Sequence, residues 1–431
     1  MDRMTTFVTG PTALTAARPV TAVRVPVRTA DVLVVGGAML APLNLLIWRS
    51  FSVYDLLVFV ALFFLLSERR FVWPSAGYLA ASYVFILAAL VSAFRSTHAM
   101  EAMTQVLQYA FIFFVQVPVV ISVVRTRGRA VTSIALLCFG TLAAIAHAYV
   151  FRPTQGAGRV VVFYSENPNR LGYPAAYLIP LLVVLWLLSR NAGRAARVTA
   201  TAALLAGMYL SVWAVAASGS RSSLLGAGIA LVVFVVRPGV GIVRNLGRLL
   251  AVAAVCGVVG VGLLATGQLP NTLEERIERS LDTSDIEAQA NLVGDREHLI
   301  NAGTAAFFET PLVGTGLDNF RYVAPAYEVE ATAQLPHNLW LQLGVQVGAI
   351  GTAAFAVWLV LWGFDVVGTV RRAHPPDAHL LWGLFASMAG ILTIFMFAPE
   401  MLDRHYWLIA ALGLAAVRGC RTSYLPGGRN R

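Results

Sequence analysis

The chain has 431 residues, of which 58% are hydrophobic and only 13% charged, with a mean hydropathy of +0.71. A soluble domain carries roughly 45–50% apolar and about 25% charged residues, so this composition excludes an ordinary soluble fold and points to one polytopic membrane domain, 1–431. The net charge of +10 rests entirely on arginine, and its distribution along the chain argues against nucleic-acid binding.

The first 30 residues contain arginines but no apolar core of the signal-peptide kind, and read as a cytoplasmic tail, 1–30. About twelve segments then reach or approach the roughly 20 apolar residues that a bilayer-spanning helix needs. They lie near 32–48, 53–67, 74–94, 104–124, 130–151, 171–189, 198–217, 222–236, 249–266, 345–369, 380–398 and 405–418. The second, eighth and twelfth are short enough to be tilted, paired or partly re-entrant. A C-terminal tail, 419–431, follows. With the N-terminus inside, 21 arginines fall on the cytoplasmic side and 11 outside, whereas acids divide 5 to 17. This is the positive-inside pattern, and it places both termini in the cytoplasm of a multi-pass protein. The halves share no repeat of the inverted-transporter type. Cys138, Cys256 and Cys420 imply no disulfide framework.

Polar residues gather at four places on the outer side. Ser165-Glu166-Asn167-Pro168-Asn169-Arg170 precedes the sixth span, and Ser218-Gly219-Ser220-Arg221-Ser222-Ser223 joins the seventh and eighth. The third and fourth belong to a long extracytoplasmic loop, 267–338, running from Gly267 to the Pro336-His337-Asn338 turn. A loop of this length and charge is a candidate carrier of function.

Arg221 has no acid within ten residues on either side. A guanidinium at a membrane edge is costly unless it is paired or solvated, and an anionic group such as a phosphate suits its fork of donors. Snorkelling to water or headgroups is the competing account. A helix starting at Ser222 would add positive potential from its free amides. Arg296 begins an expected helix to Phe308 with Asp295 as N-cap, and pairing with Asp295 or Glu297 is its simpler role. His337 can accept a proton at working pH, or can bond backbone at a helix start. The acidic run Glu274-Glu275 to Glu278 alternates with arginine and reads as a solvated helix face. Gly314-Thr315-Gly316 is a turn lacking the remainder of a nucleotide loop, and the histidines show no metal-ligand spacing. Glu400 and Asp403-Arg404-His405 form either a rim of the site or a salt-bridged interface.

Taken in order, these elements resemble the bacterial O-antigen ligase / O-antigen polymerase family of membrane glycosyltransferases. The resemblance rests on Ser220-Arg221-Ser222, on Arg296 with Pro311-Leu312-Val313-Gly314-Thr315-Gly316-Leu317-Asp318-Asn319-Phe320, and on Pro336-His337-Asn338 with Leu341-Gln342 and Gly348-Ala349-Ile350-Gly351. It implies an all-α, GT-C-like membrane bundle whose outer loop carries short helices, in the bacterial cytoplasmic membrane, with its active site facing outward. The implied donor is a polyprenyl-diphosphate-linked glycan, and the implied acceptor a glycan or glycolipid hydroxyl. Arg221 and Arg296 match the family's diphosphate-holding arginines, and His337 its acceptor-activating histidine. Asn167, Asn169 and Asn338 are further candidates for contact with substrate. The resemblance implies no metal, nucleotide or other cofactor. Ligase and repeat-unit polymerase share these motifs. A twelve-helix transporter or flippase for an anionic substrate is the rival class, and it would call for intramembrane acids or broken helices.

Overall fold

The computed structural model describes residues 28–48, 50–155, 159–190, 193–237, 286–328 and 336–423, with a few positions between 243 and 262. It is mostly helical. In chain order the helices are α1 (Thr29–Gly37), α2 (Val53–Ser67), α3 (Ala76–Ala93), α4 (Ala99–Phe111), α5 (Val117–Val123), α6 (Arg127–Phe151), α7 (Asn169–Gly172) and α8 (Ala175–Ser189). Then come α9 (Arg194–Ser218), α10 (Arg221–Val235), α11 (Ile286–Glu309), α12 (Phe320–Tyr327), α13 (Leu339–Val370), α14 (Pro375–Phe395) and α15 (Arg404–Ser423). Two short antiparallel hairpins, Leu46–Trp48 with Phe51–Ser52 and Thr154–Gln155 with Arg159–Val160, complete the regular structure.

Among the described residues seven helices are long and apolar enough to cross a membrane, which makes the chain a polytopic membrane protein. They correspond to the expected third to seventh, tenth and eleventh spans. The expected second and eighth are the shorter apolar helices Val53–Ser67 and Arg221–Val235. The twelfth lies within α15, whose three arginines keep it from being uniformly apolar. The first expected span, 32–48, is not one helix. Gly36 and Gly37 end α1, a 3-10 turn at Ala41–Leu43 follows, and Asn44 in the left-handed region turns the chain into a hairpin. Most of 249–266 and all of 1–27 lie outside the described residues, and the expected C-terminal tail is helical up to Ser423.

Local chemistry accounts for the helix boundaries. Ser52 and Asp55 close a capping box at α2, Thr126 and Ser220 cap α6 and α10, and Asn338 caps α13. A π-turn, Ile112–Gln116, joins α4 to α5. Pro118 lacks an amide hydrogen and its ring crowds the preceding turn, so a widened turn just ahead of it is the local solution. Aromatic rings fill the centre where α3, α13, α15 and the α4–α5 segment meet. Phe85, Phe113, Phe355 and Trp358 surround the rings of Tyr109 and Trp407 at centroid distances of 5.2–5.9 Å. On the outside, Phe63, Leu87, Leu107, Phe139 and Phe364 are exposed, as side chains facing lipid would be.

Helix α13 is broken. Gly348 has φ +67° and ψ −178°, a conformation that essentially only glycine adopts. The break frees backbone carbonyls and an amide that hydrocarbon cannot satisfy, and the 311–320 segment together with Ser92 satisfies them. Thr315 donates to Val345 O through its amide (2.7 Å) and its hydroxyl (3.1 Å), Ala349 N donates to Pro311 O (2.7 Å), and Ser92 donates to Gln346 O. The approach is so close that a Cβ on Gly348 would collide with the Leu312 carbonyl, and one on Gly314 would lie 2.6 Å from the Gln346 carbonyl. A broken helix is what the transporter reading calls for, but here the break is closed by loop backbone.

Replacing Gly348 by alanine adds both the backbone collision and the strained φ. We expect a loss of at least about 3 kcal/mol, read as a lowered unfolding temperature in detergent, whereas Gly36→Ala, where a Cβ meets open space, changes little.

Candidate functional site

Charged side chains collect at the two ends of the bundle. At one end Asp31 lies between Arg70 (2.9 Å) and Arg129 (2.6 Å), Glu68 joins Arg28 and Arg70, and Asp365 pairs with Arg421. The opposite end holds the candidate site, built around a cavity of about 440 Å³.

Its walls come from five places, one of them the hairpin ahead of α2, which contributes Asn44, Leu46 and Ser50. The turn before α15 contributes Leu402, Asp403 and Arg404, and α7 contributes Arg170. The loop ahead of α12 contributes Asp318, with Arg321 from the helix itself, and α4 contributes a polar face with Glu101, Thr104, Gln105 and Gln108. The floor is an ion pair with little solvent access. Arg404 Nε lies 2.7 Å from Asp55 Oδ1, with side-chain exposures of 8% and 1%. Asp55 also accepts from Ser52 N, and Gln116 Nε2 donates to the Arg404 carbonyl at 2.8 Å. Thus α2, the π-turn and α15 are joined at one point.

Arg170 faces two carboxylates, pairing with Glu400 and lying 3.7 Å from Asp403. Burial, together with the charge of Asp403, holds the Glu400 carboxyl above its usual range despite Arg170, and burial does the same to Asp403. Of the two readings of the 400–405 segment, the structure shows the salt-bridged interface, and Asp403 and Arg404 also line the cavity.

Asp318 is held in the left-handed region, at φ +54°, and pairs with Arg321. Its loop is clamped at both sides. Thr315 and Pro311 join it to the α13 break, while Asn319 Oδ1 accepts from Thr97 N (3.3 Å) and Thr97 Oγ1 (2.7 Å). His98 stacks on Tyr322 with centroids 3.6 Å apart.

The residues singled out from the sequence fall as follows. Arg221 is exposed and is the first residue of α10, so the helix starts one residue earlier than expected, with Ser220 as its N-cap accepting from Ser223 N at 3.3 Å. A Cβ on Gly172 of α7 would lie 2.5 Å from Ser218 Oγ and 2.6 Å from Ser223 Oγ. The Arg221 turn and the Asn169–Gly172 helix are therefore in direct contact. Asn167 accepts from Asn169 N (3.0 Å) and hydrogen-bonds the Glu400 carboxyl, and Asn169 opens α7.

Arg296 lies inside α11, not at its start, because that helix extends back to Ile286; its side chain is outside the described residues. The rest of α11 packs Leu299, Ala302 and Ala306 against Phe320, Ala324 and Val345. His337 is part-buried with φ +46°, unusual for a residue with a side chain. Asn338 is committed to structure, its Oδ1 accepting from Trp340 N (3.0 Å) and Leu341 N (3.1 Å). The long polar loop carries one helix of 24 residues as well as the short α12, which corrects the expectation of short helices alone. Its residues 267–285, with the Glu274–Arg279 run, lie outside the described residues.

The cavity lining includes Arg170, Asp318, Asp403 and Arg404 but not Arg221, His337, Asn167, Asn169 or Asn338. Sequence reasoning missed Asp55 and the α4 face. The signal for α4 was present: Glu101, Gln105 and Gln108 recur at i, i+4 and i+7, one side of a helix that is otherwise apolar.

Fold and site together define a polytopic helical membrane protein with a charge-rich cavity at one end of its bundle. Residues 206–356, about a third of the chain, match the family model described as O-antigen ligase. The match contains Arg221, Arg296 and His337. It supports glycosyl transfer of the ligase or polymerase type, which in general terms takes a lipid-linked glycan donor and a glycan acceptor. No curated protein matches the chain.

Two outcomes follow from the ion pairs. Asp55→Asn leaves Arg404 buried without its counter-charge and should cost about 3–5 kcal/mol, most of it recovered by adding Arg404→Met, as read by thermal unfolding. The raised carboxyls mean that the folded state holds protons more tightly than the unfolded chain. Their contribution to stability is full below about pH 4 and declines as pH rises through the folded values. Glu400→Gln should flatten that decline in a plot of unfolding temperature against pH.

Proposed function

We propose that this protein transfers a polyprenyl-diphosphate-linked glycan to an acceptor hydroxyl on the outer face of the bacterial cytoplasmic membrane, as an O-antigen ligase does. The observation that carries the reading is the family match over 206–356, since that one segment contains both arginines and the histidine. The outward orientation rests on the arginine bias, which assigns the Asp31 end to the cytoplasm and the Asp403 end, with its cavity, to the outside.

In the proposed reaction the acceptor oxygen attacks the anomeric carbon of the donor. The new C–O bond forms as the bond from that carbon to the diphosphate oxygen breaks, and the configuration inverts. His337 takes the hydroxyl proton, which raises the nucleophilicity of the oxygen. The electron pair leaves on the diphosphate, where Arg221 and Arg296 stabilise the developing negative charge. Arg221 sits where α10 begins, so the helix's unpaired amides add to the positive potential. The left-handed backbone of His337, immediately ahead of the Asn338 cap, fixes its place at the mouth of α13. Asn167 and Asn169, at the start of the helix whose Gly172 touches the Arg221 turn, serve as contacts for donor sugar. Neither metal nor nucleotide takes part in this scheme.

Purified protein given a polyprenyl-diphosphate oligosaccharide and a glycan acceptor tests the reading. Arg221→Ala and Arg296→Ala should each lower transfer by about 100- to 1,000-fold, with Arg221→Lys retaining more activity than alanine. His337→Ala should lose about 100- to 10,000-fold. Undiminished transfer by His337→Ala would remove it as the base, and loss of transfer in EDTA would overturn metal independence. A single capped acceptor is the ligase product; a ladder of repeats would make the protein a polymerase.

A further inference from the structure

The cavity at the Asp403 end contains three arginines, which at first suggests a second anion site. The pairings argue otherwise. Arg170 faces Asp403 and Glu400, Arg321 is bound to Asp318, and Arg404 to Asp55. Each positive charge is thus met by a carboxylate of the same wall. One further acid, Glu101, makes no ion pair or hydrogen bond through its side chain among the described residues, so the lining is on balance negative. A diphosphate or a uronate would meet unfavourable charge there.

The groups left open have a different chemistry. The side chains of Asn44, Ser50, Gln105 and Gln108 line the cavity and make no hydrogen bond among the described residues. Glu101, Gln105 and Gln108 share one face of α4, so they present a row of acceptors and donors one turn apart. Amides donate and accept at once, as sugar hydroxyls do. Leu46, Met100 and Leu402 supply apolar surface beside them, suited to the C–H faces of a pyranose. The volume of about 440 Å³ lies within the roughly 300–1,000 Å³ of small-molecule sites.

We propose that this cavity is a carbohydrate subsite that takes an uncharged, hydroxyl-rich saccharide and discriminates against acidic sugars. The assignment rests on the proposed glycosyl transfer. It adds a location for the saccharide away from the diphosphate and a charge selectivity set by Glu101. The cavity shares Arg170 with the helix that touches the Arg221 turn, and Asp318 with the loop locked into α13.

The test uses the full chain in detergent and the oligosaccharides released by mild acid from the lipid carriers of the cells that make it. Binding is followed by calorimetry, with the neutral and the uronate-bearing fractions measured separately. Neutral glycan should bind, and Gln105→Leu and Gln108→Leu should each weaken it by about tenfold at unchanged unfolding temperature. Glu101→Gln, at an exposed position, should strengthen binding of the uronate fraction relative to the neutral one. Absence of neutral-glycan binding, or binding indifferent to both glutamines, overturns the subsite, as does preference of the unaltered protein for the acidic fraction. Glutamine-dependent binding in a protein that transfers nothing would sink the proposed reaction and leave the subsite standing; normal transfer by both leucine variants with unaltered glycan affinity would do the reverse.

Discussion

A helix interrupted inside a membrane protein leaves backbone carbonyls and amides that need partners, and that requirement organises the candidate site. The break at Gly348 is answered by Thr315, Pro311 and Ser92, so the 311–320 loop is tied into α13 by hydrogen bonds where water cannot substitute. Once the loop is held there, Asn319 reaches Thr97, Tyr322 stacks on His98, and Asp318 faces the cavity with α4. The same helix begins at Asn338, directly after His337. One kink therefore sets the relation between the loop, the cavity and the mouth of α13.

Buried charge forms the second organising element. Asp55 and Arg404 are nearly inaccessible, and the attraction between them must offset the cost of removing both from water. Such a pair contributes less to net stability than its geometry suggests, but it admits few alternative arrangements of α2 and α15. Arg170 plays the same part for α7, held between Glu400 and Asp403 and thereby fixing the helix beside the Arg221 turn. Paired in this way, these arginines are poorly suited to receive a diphosphate. Arg170, Arg321 and Arg404 are each engaged with carboxylates of their own protein.

Much of this was legible in the amino-acid order. Composition and long apolar runs settle a polytopic helical membrane protein, because roughly 20 apolar residues in sequence have no other stable solution than a buried or lipid-facing helix. The arginine asymmetry bears on orientation, and the short motifs around Arg221, Arg296 and His337 point to the family that the 206–356 match supports. Periodicity misjudged the 32–48 run, since its apolar content is high but Gly36-Gly37 and Asn44 break the path of the chain. It also began the Arg296 helix too late, because polar helical residues such as those from Ile286 onward carry no apolar signal.

The sequence by itself thus determined the class of protein and the membrane-spanning segments of greatest length, and it singled out Arg221, Arg296 and His337 as the residues on which the proposed transfer rests, all from local composition and spacing. Only the tertiary structure decided which charges neutralise one another, that Gly348 breaks its helix, and that a face of α4 and the buried Asp55 belong to the same cavity as Arg170 and Arg404. Those relations join residues separated by up to several hundred positions, such as Asp55 and Arg404, and arise from pairing and close packing between helices. No rule acting on neighbouring residues contains them.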